Sequence, residues 1–143
     1  MRGKRGLVIG GIHGKTTTSG MTAHALREGG LHPSHYVGAE IPILGTNAHW
    51  DPRGEYFVAE GDESDGTLRF FHPEHALILN IEEEHLDFYK DLEAIEKVFV
   101  QLMEQTSGSV FYSADDANCV RLCSARANAV SYGFSERADY RGA

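Results

Sequence analysis

Gly10-Gly11-Ile12-His13-Gly14-Lys15-Thr16-Thr17-Thr18 decides the reading of this chain. The apolar run Leu7-Val8-Ile9 leads into it, and residues 15–28 have the composition of a helix leading out. Strand, glycine-rich turn, Lys-Thr and helix follow one another in the order that a phosphate cradle requires. The glycines let backbone N–H groups turn inward around an anion. The helix N-terminus adds unpaired donors and a partial positive charge. Lys15 is expected to reach the outer phosphates of a nucleotide, and the Thr16 hydroxyl to ligate Mg²⁺. The full pattern G-x-x-x-x-G-K-[ST] asks for glycine at position 9, where this chain has Ile9, so the loop fits only a shorter G-x-x-G-K-T form.

The rest of the chain repeats the alternation of strand and helix. Residues 34–38 suggest a short strand and 39–54 a loop over the top of the sheet, with Trp50 expected as a local plug. Glu55 to Glu60 reads as a strand running into the acidic loop Gly61-Asp62-Glu63-Ser64-Asp65-Gly66. Thr67 to Phe71 suggests one helical turn. His75 to Ile81 is apolar without alternation, as in a strand covered on both faces, and Glu82-Glu83-Glu84-His85-Leu86-Asp87 follows it. Asp91 to Gln105 is a helix capped by Asp91, with Leu92, Ile95, Val98, Phe99, Leu102 and Met103 on one stripe. A strand over 109–112, a short helix over 115–123 and a strand over 129–132 complete the pattern. The predicted architecture is a three-layer α/β domain of P-loop type with a mainly parallel sheet. Residues 7–10, 56–59 and 76–79 are its expected central strands.

Bulk properties narrow the function. The chain has 143 residues, one domain's worth, and no apolar run approaching the ~20 residues of a membrane span. A net charge of −8 argues against a broad nucleic-acid surface, which needs clustered Lys and Arg. Cys119 and Cys123 have no second pair to complete a zinc site and are expected as reduced thiols. No signal-peptide core follows the basic start, so the expected location is cytoplasmic. The ending 138–143 carries no stop signal, and the chain is expected to continue beyond it. A sheet interrupted there would leave an open edge and exposed apolar surface.

In an open parallel sheet, ligands sit beyond the carboxyl ends of the strands. Three strands here end in chemistry: the first in the phosphate loop, the second at Glu60, the third at Asn80 with Glu84 and His85 just past it. Neighbouring strands lie about 5 Å apart, so Thr16, Glu60 and His85 can converge on one Mg²⁺–phosphate cluster. Before any ion binds, a contact between the Glu60 carboxylate and Lys15 is the expected resting state. Asp62, Glu63 and Asp65 read equally well as part of the site or as a solvated loop.

Four blocks in register carry a resemblance. G-I-H-G-K-T-T-T (11–18), F-V-A-E-G-D-E-S-D-G (57–66), L-N-I-E-E-E-H-L-D (79–87) and Y-G-F-S-E-R-A-D-Y-R (132–141) resemble the Mur ligases. L-G-T-N-A (44–48) is similar to the branch that joins L-alanine to UDP-N-acetylmuramate. The resemblance implies a three-domain ligase of peptidoglycan precursor synthesis, of which residues 1–143 are a partial central, ATP-binding domain. The N-terminal and C-terminal domains would lie outside this chain. ATP would phosphorylate the sugar nucleotide's carboxylate, and the L-alanine amine would attack the acyl phosphate. By position, Lys15 would hold the β- and γ-phosphates, Thr16 the first Mg²⁺, and Glu60 and His85 metal ions. Gly11, His13, Gly14 and Thr17 would line the loop, and Asn80 would lie in the same pocket. Ile12, Leu79 and Glu84 depart from the usual Thr, Thr and Asp, and Ile12 removes a hydroxyl that could face phosphate. Two other readings are a ligase that recycles ready-made murein peptide, and a nucleotide-binding fragment without ligase activity.

Overall fold

The computed structural model describes residues 3–83 and 89–143. His85, the expected metal ligand, and Glu84 lie outside the described residues. Eight strands form one sheet: β1 (Arg5–Gly10), β2 (Ser34–Tyr36), β3 (Ala48–His49), β4 (Tyr56–Glu60), β5 (His75–Ile78), β6 (Val110–Ser113), β7 (Ala129–Gly133) and β8 (Tyr140–Arg141). Their order is β3-β2-β4-β1-β5-β6-β7-β8. Every pairing is parallel except that of β3 with β2. The expected fold class is therefore the observed one, and the three central strands are β4, β1 and β5, side by side.

Helix α1 (Lys15–Glu28) follows β1, α2 (Leu92–Glu104) follows β5, and α3 (Ala117–Cys123) follows β6. Each starts and stops for local reasons. The Asp91 side chain accepts the Ala94 N–H, and Asp116 accepts that of Cys119, satisfying donors at the first turns of α2 and α3. At the other end of α1, the N–H groups of Gly29 and Gly30 bond back to Ala25 and Arg27. A 3-10 turn at Thr67–Phe70 matches the expected helical turn.

Alternate strand residues feed two buried clusters, because successive side chains point to opposite faces. Val8, Ala59, Ala76, Ile78 and Val110 share one cluster with Ile95, Phe99, Leu102 and Met103 of α2 and Cys119 and Cys123 of α3. Ile9, Val58 and Val37 share the other with Ala23 of α1. Crossovers between parallel strands are right-handed. The chain leaves β1 toward β2 through α1, and β5 toward β6 through α2, so these two helices cover opposite faces. The two cysteines are free and buried, and burial pushes the Cys123 thiol up to about 11.

Three departures concern the edges. Residues 39–54, expected as a loop, contain β3, too short to leave an alternating pattern. The tail contains β8, held by Asp139, whose carboxylate accepts the Ser131 N–H and hydroxyl at 2.8 Å each. Trp50 is not a plug: it is 55% exposed, beside Phe57 and beneath the Lys4 ammonium. Leu7, Leu77, Phe111, Tyr132 and Tyr140 help line an open apolar hollow of about 340 Å³. Among the described residues, no helix is long and apolar enough to cross a membrane.

Candidate functional site

The candidate site lies where the chain reverses direction across the sheet, at the carboxyl ends of β4, β1 and β5. Such switch points are where open α/β sheets leave a crevice. The loop after β1 passes close to the end of β5. Gly11 has φ 145°, and a Cβ there would stand 2.9 Å from that of Leu79. Gly14 has φ 85° and forms the N-terminal boundary of α1 without a side-chain cap. The start of α1 therefore presents backbone donors to the crevice.

Asn80, just past β5, braces this loop. Its Oδ1 accepts the N–H groups of Ile12 and His13 at 2.8 Å each, and its Nδ2 donates to the His13 carbonyl at 2.9 Å. Two loop donors expected to face an anion are thus turned toward Asn80. Ile12 is 6% exposed and belongs to the core cluster with Val8, Leu68 and Ile81. Its side chain points into the protein, so the hydroxyl missing at this position is replaced by core packing. The exposed His13 ring lies 3.7 Å from the Glu82 carboxylate.

Glu60 ends β4 as expected, and Thr16 opens α1 opposite it. The Thr16 hydroxyl is 3.0 Å from both Glu60 carboxylate oxygens. The Gly38 N–H donates to the same carboxylate at 2.6 Å. Glu60, not Lys15, was the wrong half of the expected resting contact. The Lys15 ammonium instead meets Glu63, at 2.9 and 3.2 Å, together with the Gly11 carbonyl at 2.8 Å and that of Ile12 at 3.4 Å. The geometric reason is burial: the Glu63 side chain is fully enclosed and that of Lys15 only 13% exposed. Removing one partner of a buried ion pair typically costs about 3–5 kcal/mol.

The acidic loop therefore has divided roles. Asp62 accepts the Ser64 N–H and Asp65 that of Thr67, both across two residues, and these bonds shape the turn. The bond to Thr67 holds the Asp65 carboxyl below its ordinary range. Gly61 passes so near the core that a Cβ would meet Leu68 at 2.4 Å. The Tyr89 hydroxyl donates to the Glu63 carbonyl, and burial followed by the charge of Glu63 raises its pKa. Sequence reasoning left Glu63 undecided and passed over Tyr89. No local signal in the sequence sets Glu63 apart, because the turns that direct it inward are fixed by bonds seen only in the folded chain.

Donor chemistry at the crevice fits a hard cation. Thr16 and Glu60 offer a hydroxyl and a carboxylate, the all-oxygen set that Mg²⁺ accepts while keeping several waters. Among the described residues, no three of His, Cys, Asp and Glu come together as a metal-binding group. Beside the loop, Thr16, Thr17, Gly20, Met21, Ile41 and Ile43 help line a mainly apolar groove of about 270 Å³. A separate cavity of about 220 Å³ around Arg27, His32, His35 and Asp51 shares no residue with the loop.

Comparison with known proteins extends the picture. The family model of the Mur ligase middle domain matches residues 9–143. The UDP-N-acetylmuramate–L-alanine ligase of Geotalea uraniireducens (strain Rf4) is 40% identical over 146 residues, covering 99% of this chain and 31% of that protein. Its counterpart in Salinispora arenicola (strain CNS-205) is 41% identical over 147 residues, with 99% and 29% covered. Among solved structures, a UDP-N-acetylmuramate:L-alanyl-gamma-D-glutamyl-meso-diaminopimelate ligase from Neisseria meningitides superposes with a TM-score of 0.84 at 25% identity. That match covers 95% of this chain and 48% of the other. The UDP-N-acetylmuramate–alanine ligase of Thermotoga maritima gives 0.77 at 27% identity, with 91% and 29% covered. The chain spans about 31% of the length of the first curated relative it matches.

Proposed function

Since the chain belongs to the Mur ligases, which it matches over their middle domain, we propose that it is the nucleotide-binding part of an ATP-dependent ligase. The ligase would join L-alanine to UDP-N-acetylmuramate in the cytoplasm, with residues 1–143 as part of its central domain. The curated relatives named above support the substrate pair. The observation that carries the nucleotide reading is the meeting of Thr16 and Glu60 at 3.0 Å across the mouth of the loop.

Each residue then has a task. Lys15 places a positive charge where the β- and γ-phosphates would lie. Thr16 and Glu60 would hold Mg²⁺, and His85 would serve a second metal ion. Gly11 and Gly14 give the loop its path, His13 and Thr17 line it, and Asn80 fixes its peptides. Bound Mg²⁺–ATP supplies the phosphoryl group that turns a substrate carboxylate into an acyl phosphate. The chain's own contribution is charge neutralisation and placement, because phosphoryl transfer needs little covalent help.

Isothermal titration of residues 1–143 with ATP tests this reading. Binding is expected with Mg²⁺, and Glu60→Ala is expected to remove the Mg²⁺ dependence while the fold persists. Absence of ATP binding by the wild-type chain would overturn it. Ligation itself is not expected from these residues alone, since holding both reactants is worth roughly 7–11 kcal/mol of a barrier and belongs to the longer protein.

A second reading, a ligase acting on ready-made murein peptide, is favoured by the higher TM-score against the Neisseria meningitides enzyme. Supplying the full-length protein with UDP-N-acetylmuramate and either L-alanine or the tripeptide separates the two.

A further inference from the structure

We propose that Glu63 is the positioning residue of the phosphate loop: its buried carboxylate fixes the Lys15 ammonium, and phosphate replaces the loop carbonyls around Lys15 rather than Glu63. This inference rests on the nucleotide reading above and assigns the loop a residue that the sequence left open.

The argument begins with the ammonium's hydrogen bonds. Lys15 has three N–H hydrogens. They are shared among four oxygens: both of Glu63, the Gly11 carbonyl and the Ile12 carbonyl. An arriving phosphate oxygen must therefore displace one of them. The candidates differ in cost. Gly11 and Ile12 offer neutral carbonyls, and the Ile12 contact, at 3.4 Å, is already long. Glu63 is a carboxylate whose side chain is fully enclosed. Giving up a neutral carbonyl exchanges one hydrogen bond for a stronger, charge-assisted one. Giving up Glu63 would instead break a contact between opposite charges inside an enclosed site, the costlier exchange.

The loop around Glu63 is constructed to keep that carboxylate in place. Asp62 and Asp65 close successive turns on either side of it. Gly61 lets the chain pass against Leu68 and Val8. The Tyr89 hydroxyl holds the Glu63 carbonyl from the far side. Lys15, by contrast, rides on a flexible four-carbon stem, and its ammonium would sample many positions without an anchor. The pair Lys15–Glu63 thus gives the loop a cation already in position, with the loop carbonyls as its exchangeable contacts.

A double-mutant cycle read by titration calorimetry with Mg²⁺–ATP on the 143-residue chain tests this. Glu63→Gln keeps the shape and removes the charge. It is expected to raise the Kd for ATP about fivefold or more in the wild-type background, and less than about twofold in Lys15→Met, because coupled residues are not additive. A general structural role for Glu63 would weaken both backgrounds alike and would overturn the proposal. So would tighter ATP binding by Glu63→Gln, which would make Glu63 a competitor for Lys15 rather than its anchor. Glu63→Asp keeps the charge but withdraws it by one methylene, and decides the matter if Glu63→Gln does not fold. It is expected to weaken ATP binding by about threefold, and wild-type affinity in it would overturn the proposal. Failure of the wild-type chain to bind ATP is a separate result, and it would remove the nucleotide reading together with this inference.

Discussion

The Asn80 carboxamide is bonded to both backbone polar groups of His13, accepting its N–H at 2.8 Å and donating to its carbonyl at 2.9 Å. The two residues stand 67 positions apart, so the end of β5 holds the loop that follows β1. Asn80→Ala would leave the Ile12 and His13 N–H groups without this acceptor. We expect a loss of about 1–2 kcal/mol in urea denaturation and weaker ATP binding. Asn80→Asp retains an acceptor but loses the donor and adds negative charge beside the loop. It should recover more of the stability than of the ATP affinity.

Gly38 gives a way to move Glu60 without replacing it. A Cβ at Gly38 would stand 2.9 Å from one Glu60 oxygen and 3.0 Å from the other. Those atoms are the far end of a flexible side chain, so the carboxylate can withdraw at little cost to the fold. Gly38→Ala should change stability by no more than about 0.5 kcal/mol. Mg²⁺-dependent ATP binding should fall about tenfold, a loss of roughly 1.4 kcal/mol. Unchanged Mg²⁺ dependence would show that the position of Glu60 does not matter.

Gly11→Ala should act in the opposite manner. Its φ of 145° is rarely adopted by L side chains, and the new methyl would meet the Leu79 Cβ at 2.9 Å and the Asn80 backbone nitrogen at 3.2 Å. Neither neighbour is a free side-chain tip. A loss of about 1–3 kcal/mol is expected in chemical denaturation, together with the loss of ATP binding.

Asp51 links acid stability to a place remote from the loop. Arg53 binds its carboxylate through two nitrogens at 3.0 and 2.7 Å, and His32 lies 3.8 Å away. These bonds, those of Arg53 first, hold the Asp51 carboxyl well below its ordinary range. A carboxyl lowered in the folded state stabilises fully above its unfolded value of about 3.9, and that contribution is lost as pH falls from there toward the lowered native value. The stability gap between wild type and Asp51→Asn should therefore be largest near neutrality and shrink below about pH 3.9. A gap that stays constant from pH 7 to pH 3 would contradict this.

Much of the arrangement was legible in the chain because its signals are local. Leu7-Val8-Ile9 and Ala76-Leu77-Ile78 read as strands from their unbroken apolar runs; Val8, Ile9, Ala76 and Ile78 are buried, whereas Leu7 and Leu77 face the open hollow. Glu60 was legible because it ends β4, and Lys15 and Thr16 because they open α1 after the glycine turn that follows β1. Contacts made across long stretches of chain were harder to read. Asn80 could be placed near the loop, but its brace on His13 depends on partners far away in sequence. Glu63 could not be told from Asp62 and Asp65, because which of three acids turns inward is fixed by the turns around it. The edge strands β3 and β8 have two residues each, too few to leave a period.

Ile12 joins the phosphate loop to the interior: its backbone N–H belongs to the bond with Asn80, while its side chain is packed among Val8, Leu68 and Ile81. The loop cannot shift as a loose flap, because any displacement drags a wedge of the interior with it. Occupancy of the crevice should therefore be felt well beneath the surface. In hydrogen–deuterium exchange, ligand should slow the amides of β1 and β5 along with those of the loop, as expected where sub-global opening connects the two. The same coupling runs backwards, so a cavity cut under Ile12, for instance by Leu68→Ala, should loosen the grip on phosphate from a distance.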